Sequence, residues 1–168
     1  AYLASRSRLI SQTPGSAMSM KTARPGTPNG TMSSFAPMAD QTEYGTSHIS
    51  IVDAQGNAVA MTTTIEDGFG SRQMVGVTPG LAGGFLLNNE LTDFSFLPTG
   101  DNGAPVANRV QPGKRPRSSM SPTLVFDKAT GALVMSAGSP GGALIIHYTA
   151  KTLYGILNWG LTPQQAIN

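Results

Sequence analysis

With 168 residues, no cysteine and a net charge of +2, the chain is long enough for one domain with a sizeable core. The same figures exclude disulfides and thiolate metal sites and argue against a nucleic-acid partner. Charged residues are only 12% of the total, against about 25% in an average soluble domain, and 20 glycines and 12 prolines point to many turns and a sheet-rich body.

In chain order, Ala1 to Ile10 alternates Leu, Arg and Ser in a loosely helical way and reads as the end of a helix. Residues 11–45 are rich in Pro, Gly, Ser, Thr and Met without a period, with breaker clusters at Thr13-Pro14-Gly15 and Arg24-Pro25-Gly26, so a linker is expected. From Thr46 to Val52 residues alternate as in a strand. Asp53-Ala54-Gln55-Gly56-Asn57 is a tight turn, and Ala58 to Ile65 is the returning strand of a β-hairpin. Gly83 to Asn89 reads as a short strand ending in polar residues, and Asp101 to Pro116 as a loop. Ser121 to Phe126 and Leu133 to Ala137 form a second antiparallel pair around the turn Asp127-Lys128-Ala129-Thr130-Gly131. Ala143 to Trp159 carries apolar residues at helical intervals and predicts a mostly buried helix, with Gly160 as its C-terminal stop. Thr162-Pro163-Gln164-Gln165 has the makeup of a capping box opening another helix, which Asn168 ends about one turn later. The opening residues carry no signal-peptide pattern, so a piece of a longer protein is expected.

Four segments offer chemistry. Thr46 follows Gly45 at the edge of the first strand. If the Gly45–Thr46 bond is cut, Thr46 gains a free α-amino group whose reference pKa is about 8, and one residue then holds both nucleophile and base. An ordinary amphipathic strand has the same pattern, and Thr62-Thr63-Thr64 opposite it also suits simple β-propensity. Gly138-Ser139-Pro140-Gly141-Gly142 before the long helix has the backbone N–H groups of an oxyanion hole or anion pocket, or of a plain strand-to-helix turn. Lys114-Arg115-Pro116-Arg117-Ser118-Ser119 can bind a carboxylate through paired hydroxyls and basic neighbours, or can be a solvated loop. Glu90 and Asp93 after Asn88-Asn89 can receive an ammonium group, or mark the acidic first turn of a helix. An ammonium-binding and a carboxylate-binding loop together suit an amino-acid zwitterion. His48 and His147 are isolated, so no metal site is expected, and no G-x-S-x-G elbow supports a Ser-His-Asp hydrolase.

Taken in order, Thr46-Ser47-His48-Ile49-Ser50-Ile51-Val52-Asp53, Gly56-Asn57-Ala58-Val59-Ala60, Leu86-Leu87-Asn88-Asn89-Glu90, Asp93-Phe94-Ser95, Arg115-Pro116-Arg117-Ser118-Ser119-Met120-Ser121-Pro122 and Gly138-Ser139-Pro140-Gly141-Gly142 resemble the γ-glutamyltranspeptidase family of N-terminal nucleophile hydrolases. The resemblance implies an α+β fold, a partial αββα sandwich with antiparallel sheets. It implies that residues 1–45 end a large subunit and 46–168 form most of a small one, separated by autocleavage. Thr46 would be the nucleophile, Thr64 the residue that holds its hydroxyl, and Gly141 and Gly142 the oxyanion-hole donors. Ser118 and Ser119 would grip the substrate α-carboxylate, and Glu66, Glu90 and Asp93 its α-amino group. Glu66 is Asn in some members and Glu90 is Gln in others, so this chain is the more acidic variant. The implied activity is γ-glutamyl transfer or hydrolysis on glutathione and γ-glutamyl amides, without a cofactor. The implied partners are the small-molecule γ-glutamyl substrate and the remainder of the large subunit, which brings an Arg for the carboxylate. Without that remainder the piece is expected to be inactive and to expose apolar surface suited to a partner subunit or a homo-oligomer. The family also implies a periplasmic or extracellular location. Rival expectations are a related acylase acting on β-lactam or other acyl amides, and a binding module that never cleaves itself.

Overall fold

The computed structural model describes residues 1–11, 13, 26–28, 34–39, 41, 45–76, 79–80 and 83–168. Most of the expected linker therefore lies outside the described residues. The described chain is α+β, with α1 (Tyr2–Ser7), β1 (Thr46–Val52), β2 (Ala58–Thr64), β3 (Thr123–Phe126), β4 (Leu133–Ala137), α2 (Ile145–Trp159) and α3 (Pro163–Ile167). Single 3-10 turns stand at Glu90–Asp93 and Gly142–Leu144.

Both sheets are antiparallel hairpins, β1 with β2 and β3 with β4. In the first, the register runs from Thr46 opposite Thr64 to Val52 opposite Ala58. Its turn is built on the Asp53 carboxylate, which accepts from the backbone N–H of Gln55 (2.9 Å) and Asn57 (2.8 Å) and from the Asn57 side-chain amide (2.7 Å). Those bonds, the Asn57 amide foremost, hold the carboxyl below its ordinary range. Asp127 does the same for the second hairpin, accepting from the backbone N–H of Thr130 (2.7 Å) and Ala129 (3.0 Å). Asp is common in turns because its side chain offers nearby amides an acceptor that the backbone cannot.

The two hairpins meet through a short polar chain. The Ser136 hydroxyl of β4 lies 3.0 Å from the Ser50 hydroxyl of β1 and 3.2 Å from the Val59 carbonyl of β2. The His48 ring stands 3.1 Å from Ser50 Oγ through Nε2 and 2.9 Å from Thr62 Oγ1 through Nδ1. Gly138, just beyond β4, presses against this ring, and a Cβ there would run into it. His48 thus packs beneath the strand as a structural side chain.

Two expectations need correction. Gly83 to Asn89 does not form a strand; only Leu86 makes a β-bridge, to Met74. Gly83 and Gly84 adopt φ of 140° and 156°, off the strand conformation. At the other end the Asn88 and Asn89 side chains accept from the backbone N–H of Glu90 (3.0 Å) and Asp67 (2.9 Å), which favours a loop over a ladder. Second, α2 is not mostly buried. Ile145, Thr149 and Gly155 are buried along it, whereas Ile146, Tyr154, Leu157 and Trp159 are exposed. Its apolar residues surround more than one side, and its chief neighbour is α3, which meets it at Gly155 and Ala166.

The expected linker is anchored where it is described. Ala36 is buried, bridges to Val106 and donates its N–H to the Pro105 carbonyl (2.9 Å). The Gln41 side chain donates to the carbonyls of Thr92 (2.9 Å) and Phe94 (3.3 Å). Ala36, Val106 and Phe94 make up most of the buried apolar set, which also includes Ile145 and Ala166.

Candidate active site

Thr46 opens β1 and faces Thr64 at the end of β2. Gly45 before it has φ of 77°, and a Cβ there would come within 2.8 Å of the Glu66 carbonyl, so the tight approach of 45 to 66–68 needs glycine. The Thr64 hydroxyl donates to the Gly45 carbonyl (2.9 Å) and accepts from the Glu66 N–H (2.9 Å). In the continuous chain this hydroxyl therefore holds the carbonyl that precedes Thr46.

Glu66 is buried and has φ of 74°, a left-handed conformation that costs a non-glycine residue on the order of 1 kcal/mol and persists only where neighbours fix it. They do so here. Thr64 holds its amide, and the Asn89 side-chain amide donates to its carboxylate. Asn89 is itself held, accepting from the Asp67 N–H (2.9 Å) and donating its own N–H to the Ile65 carbonyl (3.1 Å).

Glu66, Glu90 and Asp93 form the acidic end of the site. Among the described residues, Glu90 Oε1 is buried with no hydrogen-bond partner. Burial first, then the neighbouring Asp93 carboxyl, then repulsion from Glu66, push the Glu90 carboxyl up to about 7. An unpaired carboxylate oxygen beside two further carboxylates makes this end of the site electronegative.

One open cleft is lined by Thr46, Thr64, Glu66, Asp93, Arg117, Ser118, Ser119, Met120, Gly142 and Ile145. It brings the hydroxyl of the first strand, the acidic end and the Ser118–Ser119 pair onto one space. Gly142 heads the 3-10 turn before α2, where backbone N–H groups have no carbonyl of their own helix to bond. Gly141 and Glu90 do not line the cleft but stand beside residues that do. Gly141 has φ of 136°, and a Cβ there would approach the Tyr148 ring to 2.7 Å.

Sequence reasoning missed Asn89 and Asn108 as residues that hold the site together, and it did not single out Arg117. Asn108 lies in a stretch read as loop. Its Nδ2 donates to the Asp93 carbonyl (2.7 Å) and its Oδ1 accepts from the Arg117 N–H (3.0 Å). The Asn88-Asn89 pair was visible as a polar strand end, a signal for Asn89; Asn108 has no comparable signal.

Comparison with known proteins identifies the family. The family model described as gamma-glutamyltranspeptidase matches residues 1–168. The chain is 44% identical over 130 residues to a glutathione hydrolase proenzyme of Bacillus subtilis, covering 76% of this chain and 20% of that one. It is 42% identical over 127 residues to the glutathione hydrolase proenzyme of Escherichia coli, covering 73% and 21%. The chain thus spans about a fifth of the length of these curated relatives. Among solved structures it is similar to an acivicin-inhibited gamma-glutamyltranspeptidase, with 36% identity, a TM-score of 0.56 and coverage of 72% of this chain and 63% of that one. It is also similar to the gamma-glutamyltranspeptidase of Pseudomonas nitroreducens complexed with L-DON, with 37% identity, a TM-score of 0.57 and coverage of 71% and 60%. From its full-length family match and the antiparallel α+β body it shares with those structures, the chain belongs to the gamma-glutamyltranspeptidase family.

Proposed function

We propose that this chain carries the catalytic part of a γ-glutamyl acyl-transfer enzyme, which makes its own nucleophile by cutting the Gly45–Thr46 bond. Residues 1–45 then end a large subunit, and 46–168 belong to the small one. The observation that carries the reading is the shared cleft, where Thr46 meets an acidic end, a hydroxyl pair and the Gly142 turn.

In cleavage, the Thr46 hydroxyl adds to the Gly45 carbonyl carbon and the C–N bond breaks. The acyl group passes to oxygen, and the freed nitrogen becomes the α-amine of Thr46. Water opens the resulting ester, leaving a Gly45 carboxylate. In turnover that amine takes the proton of the Thr46 hydroxyl as oxygen attacks the γ-amide carbon. The N–H groups of Gly141 and Gly142 receive the developing oxyanion, a contribution for which loss of one donor typically costs roughly 10²–10³ in rate. The leaving amine takes the proton back, and water or an amino acid accepts the acyl group. Glu66, Glu90 and Asp93 hold the donor's ammonium, and Ser118 and Ser119 its α-carboxylate. The names of the relatives, glutathione hydrolases, support glutathione as one donor. The remainder of the large subunit is the proposed partner, and the proposed location is the periplasm or the exterior, testable by fractionation.

Full-length protein, denatured and weighed intact, should give two pieces divided before Thr46 and should hydrolyse a γ-glutamyl anilide. Thr46→Ala should stay whole and lose turnover by at least about a thousandfold. A wild-type protein that stays in one piece, or a variant that still splits at this bond, would remove Thr46 from the role.

A further inference from the structure

Asn108 joins the two ends of the cleft. Its Nδ2 donates 2.7 Å to the carbonyl of Asp93, fifteen residues earlier, and its Oδ1 accepts at 3.0 Å from the N–H of Arg117, nine residues later. Asp93 belongs to the acidic end, and Arg117 is followed directly by Ser118 and Ser119 at the hydroxyl end. The amide is planar and short, so both backbones sit at a separation that one rigid group defines. Asn108 is further steadied: its carbonyl accepts from the Ser95 N–H (2.9 Å), and its Nδ2 lies 3.2 Å from Met38 Sδ.

We infer that Asn108 is a positioning residue that sets the distance between the ammonium grip and the carboxylate grip, and so selects ligands carrying both groups on one carbon. The inference rests on the reading of the cleft given above. A ligand with only one of the two groups uses one end and is indifferent to the spacing. A ligand with both must match it. Autocleavage at Gly45–Thr46 uses neither end and should not feel Asn108.

The test uses full-length protein with N108A and N108D, assayed by competition against γ-glutamyl anilide hydrolysis. L-glutamate carries both groups, glutarate lacks the amine and 4-aminobutanoate lacks the α-carboxylate. In N108A, L-glutamate should bind about tenfold more weakly, the size expected for losing one or two well-made hydrogen bonds, while the other two ligands change less than about twofold. The KM of the anilide should rise, with kcat and splitting near wild type. Asp keeps the acceptor for Arg117 N–H and loses the donor to Asp93, so N108D should show the same selective loss even if N108A folds poorly. Equal weakening of all three ligands, or unchanged L-glutamate binding in an active variant, would overturn this inference alone. An inactive, unsplit wild type would overturn the functional reading and this inference with it.

Discussion

Glu90 concentrates the electrostatics of the site in one side chain. Its carboxyl titrates near 7 because it is partly desolvated beside Asp93 and Glu66, so the folded protein holds a proton there that the unfolded chain, at about 4.5, does not. The sign follows from linkage: between those values the folded state binds more protons, so this group's stabilising contribution is present below 4.5 and is lost as pH rises through 7. An incoming ammonium reverses the preference, because it favours ionised Glu90. Affinity for a γ-glutamyl donor should therefore rise with pH from about 5 to about 7 and then level off. Glu90→Gln should flatten that slope, and above pH 7 it should melt higher than wild type while matching it near pH 4, below the unfolded value, read by KM and melting temperature across pH. A wild-type KM independent of pH in this range would remove Glu90 from the ammonium site. Individual side chains were legible in sequence where their signal was local. Thr46 at a strand edge, Ser118–Ser119 beside basic residues and Gly141–Gly142 before a helix each advertise themselves within a few positions. Asn108 does not, because what makes it matter is a partner 15 or 9 residues away, and Asn89 shows only as part of a polar strand end while its carboxylate partner is 23 residues away.

Hairpins and helix ends followed the sequence closely, since turn and cap chemistry is written in adjacent residues. Asp53-Ala54-Gln55-Gly56-Asn57 and Asp127 to Gly131 turn the chain where expected, and Thr162 with Gln165 forms the capping box. What failed was the placing of elements against one another. The Gly83–Asn89 strand dissolved because two glycines and two asparagines outweighed three apolar residues, and α2 showed apolar side chains that a helical period cannot tell apart as inward or outward. The end of α2 offers a clean test of the local part. Gly160 takes φ of 67°, and the Leu161 N–H donates to the Gly155 carbonyl (3.1 Å), which closes the last turn before α3. Gly160→Ala should cost about 1 kcal/mol, because alanine must adopt a left-handed backbone there. Thermal or denaturant unfolding measures it. A neutral result would mean that α2 is free to end elsewhere, without the Gly155–Ala166 contact that sets α3 against it.

At the scale of the whole molecule, many large apolar side chains among the described residues stand exposed. Part of that exposure is ordered on one face of a hairpin. On the first hairpin Ile51 pairs with Val59 and Ile49 with Met61, and all of them are exposed, with Ile51 at 55%. The partly covered row of that hairpin, including His48 and Thr62, belongs to the polar chain leading to β4. A strand pair with its polar row inward and its apolar row open is built to receive another layer on the open side. In the proposed enzyme that layer is the remainder of the protein. The paired substitution Ile51→Thr and Val59→Thr should then act with opposite signs in two settings. In the 168-residue chain made alone it should reduce self-association, seen by light scattering, because it removes an exposed apolar patch. In full-length protein it should lower stability by at least about 2 kcal/mol, because each side chain loses burial worth about 1.5–3 kcal/mol when covered. If full-length protein keeps its melting temperature with both threonines in place, nothing covers this face, and the apolar row must be accounted for by contacts between copies of the chain.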